Sequence, residues 1–257
     1  MNREIIVSKI KVIAHRGLSS KYTENTIAAF KAAVAAKVDM IELDVHETQD
    51  GHFIVYHDDS LNSDTAAWRN LTYDYIRTLK KLEGRAPLLS ESLKAIGSTP
   101  VSIEIKSYHK LSNIIRELKD SPPPPGSVVS SFDLKLLKDL HNNNIKLPLF
   151  LIIGTSRRLT LKENIWNIIL PMLLSKLSKF QHVVPNLQRN FLKFLPEFLD
   201  GVAVTRLLAN KAFVRVMQLS NKKVYIWTVD KTNQMKKFIK WGVNGIITNY
   251  PDRLQKL

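Results

Sequence analysis

Cysteine is absent from this 257-residue chain, which excludes a disulfide framework, a thiolate zinc site and a cysteine nucleophile. Long apolar runs are absent too. The best stretch, Ile165 to Leu174, is interrupted by Asn167 and Pro171 and falls well short of the roughly 20 apolar residues of a membrane-spanning helix. Ahead of the first strand-like segment only Ile5-Ile6-Val7 is apolar, too little for the hydrophobic region of a signal peptide. The expectation is a soluble, cytoplasmic protein. Negative charge is scarce: 23 acids stand against 38 lysines and arginines, for a net charge of +15, and such a surface attracts polyanions. Neither a zinc-finger spacing nor an aromatic RNA-binding strand signature accompanies it, so nucleic acid is not expected as a partner. Phosphorylated small molecules and weak association with an anionic membrane surface remain.

The scarce acids are not scattered. Three charged clusters each close a short aliphatic run: His15-Arg16-Gly17 after Val12-Ile13-Ala14, Glu42-x-Asp44 after Met40-Ile41, and Glu104-x-Lys106 after Val101-Ser102-Ile103. A strand has period two, so Glu42 and Asp44 share one face, as do Glu104 and Lys106. Buried carboxylates need a cation, a lysine or water, and three of them offer hard oxygen ligands for Mg²⁺ or Ca²⁺.

Strand-like segments at 12–15, 40–45, 101–105, 127–131, 148–153, 201–205, 223–228 and 245–248 alternate with helical stretches such as 26–37, 112–119, 134–142, 211–219 and 232–241. This order predicts an α/β fold, a (β/α)8 TIM barrel formed as one domain over residues 1–257, with an open doubly wound sheet as the alternative. An extra run, Phe53 to Tyr56, follows Asp50-Gly51. Asp-Gly between strand residues signals a hairpin, so a β-hairpin extends the second strand. A two-residue Asp50-Gly51 loop places His57 opposite Asp44. Two connections, His57 to Pro100 and Gly154 to Asp200, leave C-terminal strand ends and exceed what a crossover needs. Pro122 to Pro125 reads as a rigid connector on the opposite face.

Together these residues resemble the glycerophosphodiester phosphodiesterase family, whose barrels are of the phospholipase C-like kind. The resemblance runs through Ala14-His15-Arg16-Gly17, Glu24-Asn25-Thr26, Ile41-Glu42-Leu43-Asp44-Val45, His57-Asp58, Glu104-Ile105-Lys106, Ser131-Phe132, Trp227-Thr228-Val229 and Gly245 to Pro251. It implies a TIM barrel that uses one divalent cation, Mg²⁺ or Ca²⁺, to hydrolyse glycerophosphodiesters to glycerol 3-phosphate and an alcohol. By motif, Glu42, Asp44 and Glu104 resemble the metal ligands, His15 and His57 the acid/base pair, and Arg16 and Lys106 the phosphate contacts. The chain departs from the family after His57-Asp58, where Ser60-Leu61-Asn62-Ser63-Asp64-Thr65 replaces a leucine, arginine and threonine pattern, and at Leu88 to Leu93. Both departures bear on substrate specificity.

Phosphodiester cleavage needs neutralised phosphate oxygens, an activated nucleophile and a protonated leaving alcohol. Imidazole titrates near neutrality, so either histidine suits either proton transfer. The nucleophile is a neighbouring hydroxyl of the substrate, giving a cyclic phosphate, or water itself. Trp227 and Phe132 are read as a wall for the glycerol or lipid portion, or as barrel core. Glu24 and Asn25 are supporting residues near the phosphate or caps of the first helix. His46, His52, His109, His141 and His182 are assigned to the surface or to layers behind the site. The basic, apolar segment from Ile165 to Phe198 packs on the barrel or lies on an anionic interface. A lysophospholipase D, a lyase stopping at the cyclic phosphate and a non-catalytic phosphate- or lipid-binding barrel are the competing functions.

Overall fold

A computed structural model describes residues 9–62, 66–154 and 195–257. Nearly all of the Ile165 to Phe198 segment, including His182, lies outside the described residues, as do Ser63, Asp64 and Thr65.

Nine strands form one sheet: β1 (Lys11–His15), β2 (Met40–Glu47), β3 (Phe53–Val55), β4 (Val101–Ser107), β5 (Val128–Ser131), β6 (Leu149–Ile153), β7 (Gly201–Thr205), β8 (Lys223–Trp227) and β9 (Gly245–Thr248). All but β3 run parallel, and β1 pairs with both β2 and β9. That pairing closes an eight-stranded barrel and rules out the open doubly wound sheet, which must leave two edges. Among the described residues the α-helices are α1 (Ile27–Ala35), α2 (Tyr73–Thr78), α3 (Leu89–Ile96), α4 (Leu111–Asp120), α5 (Leu134–Asn142), α6 (Lys211–Leu219), α7 (Thr232–Lys240) and α8 (Pro251–Leu254).

Period-two alternation divides the core in two. Ile41, Leu43 and Val45 of β2 face outward and pack with Phe30, Leu93 and Ile103 in the layer between barrel and helices. Ile13, Met40, Val128, Phe150, Ala203, Tyr225 and Ile247 fill the barrel interior, where Phe150 and Tyr225 stack with ring centres 4.6 Å apart. Among the described residues no helix is long and apolar enough to cross a membrane.

The hairpin exists, but its register corrects the sequence reading. Val45 pairs with Val55, His46 with Ile54 and Glu47 with Phe53, and Tyr56 N donates to Asp44 O at 3.0 Å. Tyr56, not His57, therefore lies opposite Asp44. The loop has three residues, Gln49 to Gly51, closed by Thr48 N donating to His52 O at 2.8 Å. Gly51 alone takes positive φ, at 84°, while the Asp50 carboxylate accepts from Thr48 Oγ1 at 2.6 Å and from Tyr73 N at 3.0 Å. Three-residue hairpins with glycine in the left-handed position are built this way. The cap of α1 is also corrected: Thr26 fills it, accepting from Ala29 N at 3.2 Å, and Glu24 and Asn25 are turned to other work.

The chain between β3 and β4 builds a small core of its own from Ile54, Tyr56, Trp68, Ile76, Leu82 and Ala86. Trp68 is fully buried, meets Tyr56 edge-on at 5.1 Å, and donates from Nε1 to Asp58 O at 2.7 Å. This platform fixes the residue next to His57.

Candidate active site

Along the inward face of three strands the side chains change from apolar or small and neutral to charged toward the C-terminal end. Ile13 gives way to His15, Met40 to Glu42 and Asp44, and Ser102 to Glu104 and Lys106. Parallel register brings them level: His15 pairs with Glu42, and Asp44 with Glu104. One oxygen from each of Glu42, Asp44 and Glu104 lies within 4.8 Å of the others.

Cations from the chain surround this cluster. Lys106 Nζ lies 3.1 Å from Asp44 Oδ1 and 2.9 Å from Glu104 Oε1. Arg16 Nε is 3.1 Å from Asp44 Oδ2, and Arg16 Nη1 donates to Glu24 Oε1 at 2.7 Å. The Arg16 backbone, at a φ of 56°, also donates its N–H to Glu42 Oε2 at 3.0 Å. A non-glycine residue in that region costs on the order of 1 kcal/mol or more and is held only by surrounding contacts. Asn25, also left-handed at 55°, donates from Nδ2 to Asp44 Oδ2 at 2.9 Å.

Burial would raise the Asp44 pKa, but Lys106 and Arg16 outweigh it and hold the carboxyl well below its usual range. Glu42 moves the other way, raised by burial and by the Asp44 and Glu104 charges. Burial also pushes Glu104 up to about 7. Two positive side chains therefore do not satisfy two buried carboxylates and a third that is largely buried, and a divalent cation would. Asn25 Oδ1, buried and without a hydrogen-bond partner among the described residues, is a further oxygen in the same place. The donor set is all oxygen, which suits Mg²⁺ or Ca²⁺.

Arg16, Glu42, Glu104 and Lys106 form one side of a cavity of about 260 Å³, with Asp44 and Asn25 behind them. Its other side is apolar, made by Phe132, Ile152, Ala203, Trp227 and Ile247. Trp227 and Phe132 meet edge-to-face at 6.1 Å, and Trp227 Nε1 donates to Ala203 O at 3.0 Å. Gly154 leaves room for the indole, since a Cβ there would stand 2.6 Å from the ring. Both aromatic residues thus line the cavity while partly buried.

Both predicted histidines reach the cavity. His57 Nδ1 lies 2.7 Å from Asp58 Oδ1, which leaves Nε2 for the cavity. His15 Nδ1 lies 2.7 Å from Asn249 Oδ1, with Nε2 3.9 Å from Glu42 Oε2. Burial lowers the pKa of both, that of His15 to about 4. Behind them stand Asp58, Asn249 and Asp230, given no role from sequence, and His46, expected on the surface or behind the site, which contacts His57 O at 3.2 Å and Ser107 Oγ at 2.8 Å. Asn249 and Asp58 lie inside the motifs that carried the resemblance, which was the available signal. His109 lies apart, with its backbone on Glu47 and its ring 2.9 Å from Arg69 O. His52 and His141 lie against Tyr73 and Phe198 respectively.

The profile of the Glycerophosphoryl diester phosphodiesterase family matches residues 15–253, spanning every residue of this cluster. The chain belongs to that family. Within the glycerophosphoryl diester phosphodiesterases it is similar to a protein of Caldanaerobacter subterraneus named glycerophosphodiester phosphodiesterase, at 32% identity over 97% of this chain and 98% of the relative. It is also similar to a Rattus norvegicus protein named lysophospholipase D GDPD1, at 29% identity over 95% of this chain and 84% of the relative. An Oleispira antarctica phosphodiesterase, solved with the product sn-glycerol-3-phosphate, shares the fold with a TM-score of 0.70 at 18% identity, covering 95% of this chain and 94% of that one.

Proposed function

We propose that this protein hydrolyses glycerophosphodiesters to glycerol 3-phosphate and an alcohol, as one barrel domain over residues 1–257 that holds one Mg²⁺ or Ca²⁺ on Glu42, Asp44 and Glu104. The observation that carries the reading is the convergence of three carboxylates within 4.8 Å beside two histidines that open on one cavity. The cation, when bound, supplies positive charge for the non-bridging phosphate oxygens. Arg16 and Lys106, anchored on Asp44, add fixed positive charge at the same place. His15 and His57 move the protons: one takes it from the attacking hydroxyl, of the substrate's glycerol or of water, and the other gives one to the leaving alkoxide. Glu24 steadies Arg16 and Asn25 steadies Asp44. Trp227 and Phe132 receive the carbon skeleton of the substrate.

The test is turnover of glycerophosphocholine by metal-stripped protein. Activity is expected to vanish in excess chelator and return with Mg²⁺ or Ca²⁺, and full activity in chelator would overturn the reading. His15→Ala and His57→Ala are each expected to lower kcat by about 10²- to 10⁴-fold with an unchanged circular dichroism spectrum. Near-normal kcat for His57→Ala on a diester with a poorly acidic alcohol removes that residue from the mechanism.

A second reading, lysophospholipase D or a lyase that stops at the cyclic phosphate, is favoured by the apolar wall and by the name of the rat relative. The cavity, about 260 Å³, lies just below the usual range of ligand pockets, which favours a deacylated diester over one carrying an acyl chain. Glycerophosphocholine is therefore expected to be cleaved far better than lysophosphatidylcholine. Preference for the lysolipid reverses the assignment. A cytoplasmic location belongs to this reading and is checked by cell fractionation.

A further inference from the structure

Asp230 and Asn249 stand outside the cavity lining, on the chain that leaves β8 and β9. We propose that they are positioning residues which hold His15 as its Nδ1-protonated tautomer and present its Nε2 lone pair to the cavity. The inference deepens the role given to His15 above and rests on it for its catalytic consequence.

The amide of Asn249 could face His15 with either end, and its neighbours choose. Asp230 Oδ2 accepts from Asn249 Nδ2 at 2.9 Å, while Asp230 Oδ1 accepts from Asn249 N at 2.9 Å and from Thr248 Oγ1 at 3.1 Å. A carboxylate ringed by donors cannot face an amide oxygen, so Nδ2 is committed to Asp230 and Oδ1 is turned toward His15. Ser19 Oγ lies 2.9 Å from Oδ1 and 2.8 Å from His15 O, two acceptors that share its single proton, so the orientation is set by Asp230. Oδ1 has no proton to give. The 2.7 Å contact to His15 Nδ1 is then a hydrogen bond only if Nδ1 carries the proton, and in the neutral ring Nε2 is left as the acceptor. Asp230 is itself tied by its carbonyl to Arg253 Nη1 at 3.0 Å. The chain of control runs from Asp230 through the Asn249 amide to the ring, and its far end is a proton acceptor facing the cavity. Partners behind a working histidine set its tautomer in this manner.

Long-range proton–nitrogen spectra of histidine-labelled protein, with the His15 signal assigned by its loss in His15→Ala, test the proposal without turnover. In the unaltered protein neutral His15 is expected as the Nδ1–H form, and finding the Nε2–H form overturns the proposal outright. Asp230→Asn frees the amide to turn. It is expected to shift His15 toward Nε2–H and to lower kcat about 10- to 100-fold, with KM within about twofold. In the double variant Asp230→Asn with Asn249→Asp, donor and acceptor are exchanged and an oxygen again faces Nδ1, so the tautomer and most of the kcat are expected to return. Should Asp230→Asn fail to fold, Asn249→Ala, which spares the backbone bond to Asp230, carries the same expectation of lost kcat and a lost tautomer preference. An unchanged tautomer in a folded variant, or no recovery in the exchange, overturns the proposal. If instead His15→Ala keeps full kcat, the proton-transfer role of His15 falls while the tautomer result still reports on Asp230 and Asn249.

Discussion

Asp44 faces Arg16 on one oxygen and Lys106 on the other, with Asn25 as a third partner, at 1% exposure. Removing one member of such a buried set leaves charges without compensation, which costs about 3–5 kcal/mol. Asp44→Ala is expected to lose that much stability in urea unfolding, beyond any loss of cation binding; a stable variant would show that water replaces the carboxylate. A second residue prediction lies below the site. Burial raises the Tyr225 pKa to about 12, above an unfolded value near 10. The fold therefore favours the neutral phenol, its contribution is complete below pH 10, and it fades as pH climbs toward 12. The effect is about 2–3 kcal/mol over that window. Tyr225→Phe should flatten the loss of stability between pH 10 and 12, read from urea midpoints, and an unchanged slope assigns the alkaline loss elsewhere.

At the scale of elements, the platform around Trp68 links packing to catalysis. Trp68→Ala is expected to cost about 3–5 kcal/mol. Trp68→Phe keeps most of the packing but loses the bond to Asp58 O, so it should cost about 1 kcal/mol while lowering kcat with glycerophosphocholine. A variant with unaltered kcat would mean that Asp58 and His57 are placed without the indole. The eight barrel strands were legible because short aliphatic runs alternate with helical stretches and three of them close on charged clusters, and α5 and α6 match the expected ranges at both ends. α2 was not, since its short segment carries no sustained period and Ile76 is ordered by a core that exists only once Ile54 and Trp68 meet; α3, whose Leu89, Leu93 and Ile96 do recur at helical spacing and pack in the layer between barrel and helices, was passed over. The hairpin register was misread because Asp50 spends its carboxylate on Thr48 and Tyr73 rather than adopting positive φ. The carboxylates and histidines could be found from strand ends and motif. The motif from Gly245 to Pro251 marked Asn249 but gave no partner for it, because its place beside His15 depends on closure of the barrel between residues 234 positions apart.

For the whole molecule, the net charge of +15 predicts attraction to anionic vesicles at low salt. That attraction should be lost by about 0.15 M, where the screening length is near 8 Å, if no apolar anchor enters the lipid. Sedimentation with anionic and neutral vesicles across a salt series checks this, and saturable binding that survives the higher salt would point to insertion and to lipid substrates. Closure has its own consequence. His15 stands at the end of the first strand and its partner Asn249 just past the last, so the two halves of this contact enter the nascent chain at opposite ends of synthesis. A chain still lacking β9 has every carboxylate in place and no amide to orient the ring. On the role proposed for His15, turnover is expected only once the final strand docks against the first, and in a refolding time course the appearance of product should lag the recovery of secondary structure and coincide with sealing of the barrel.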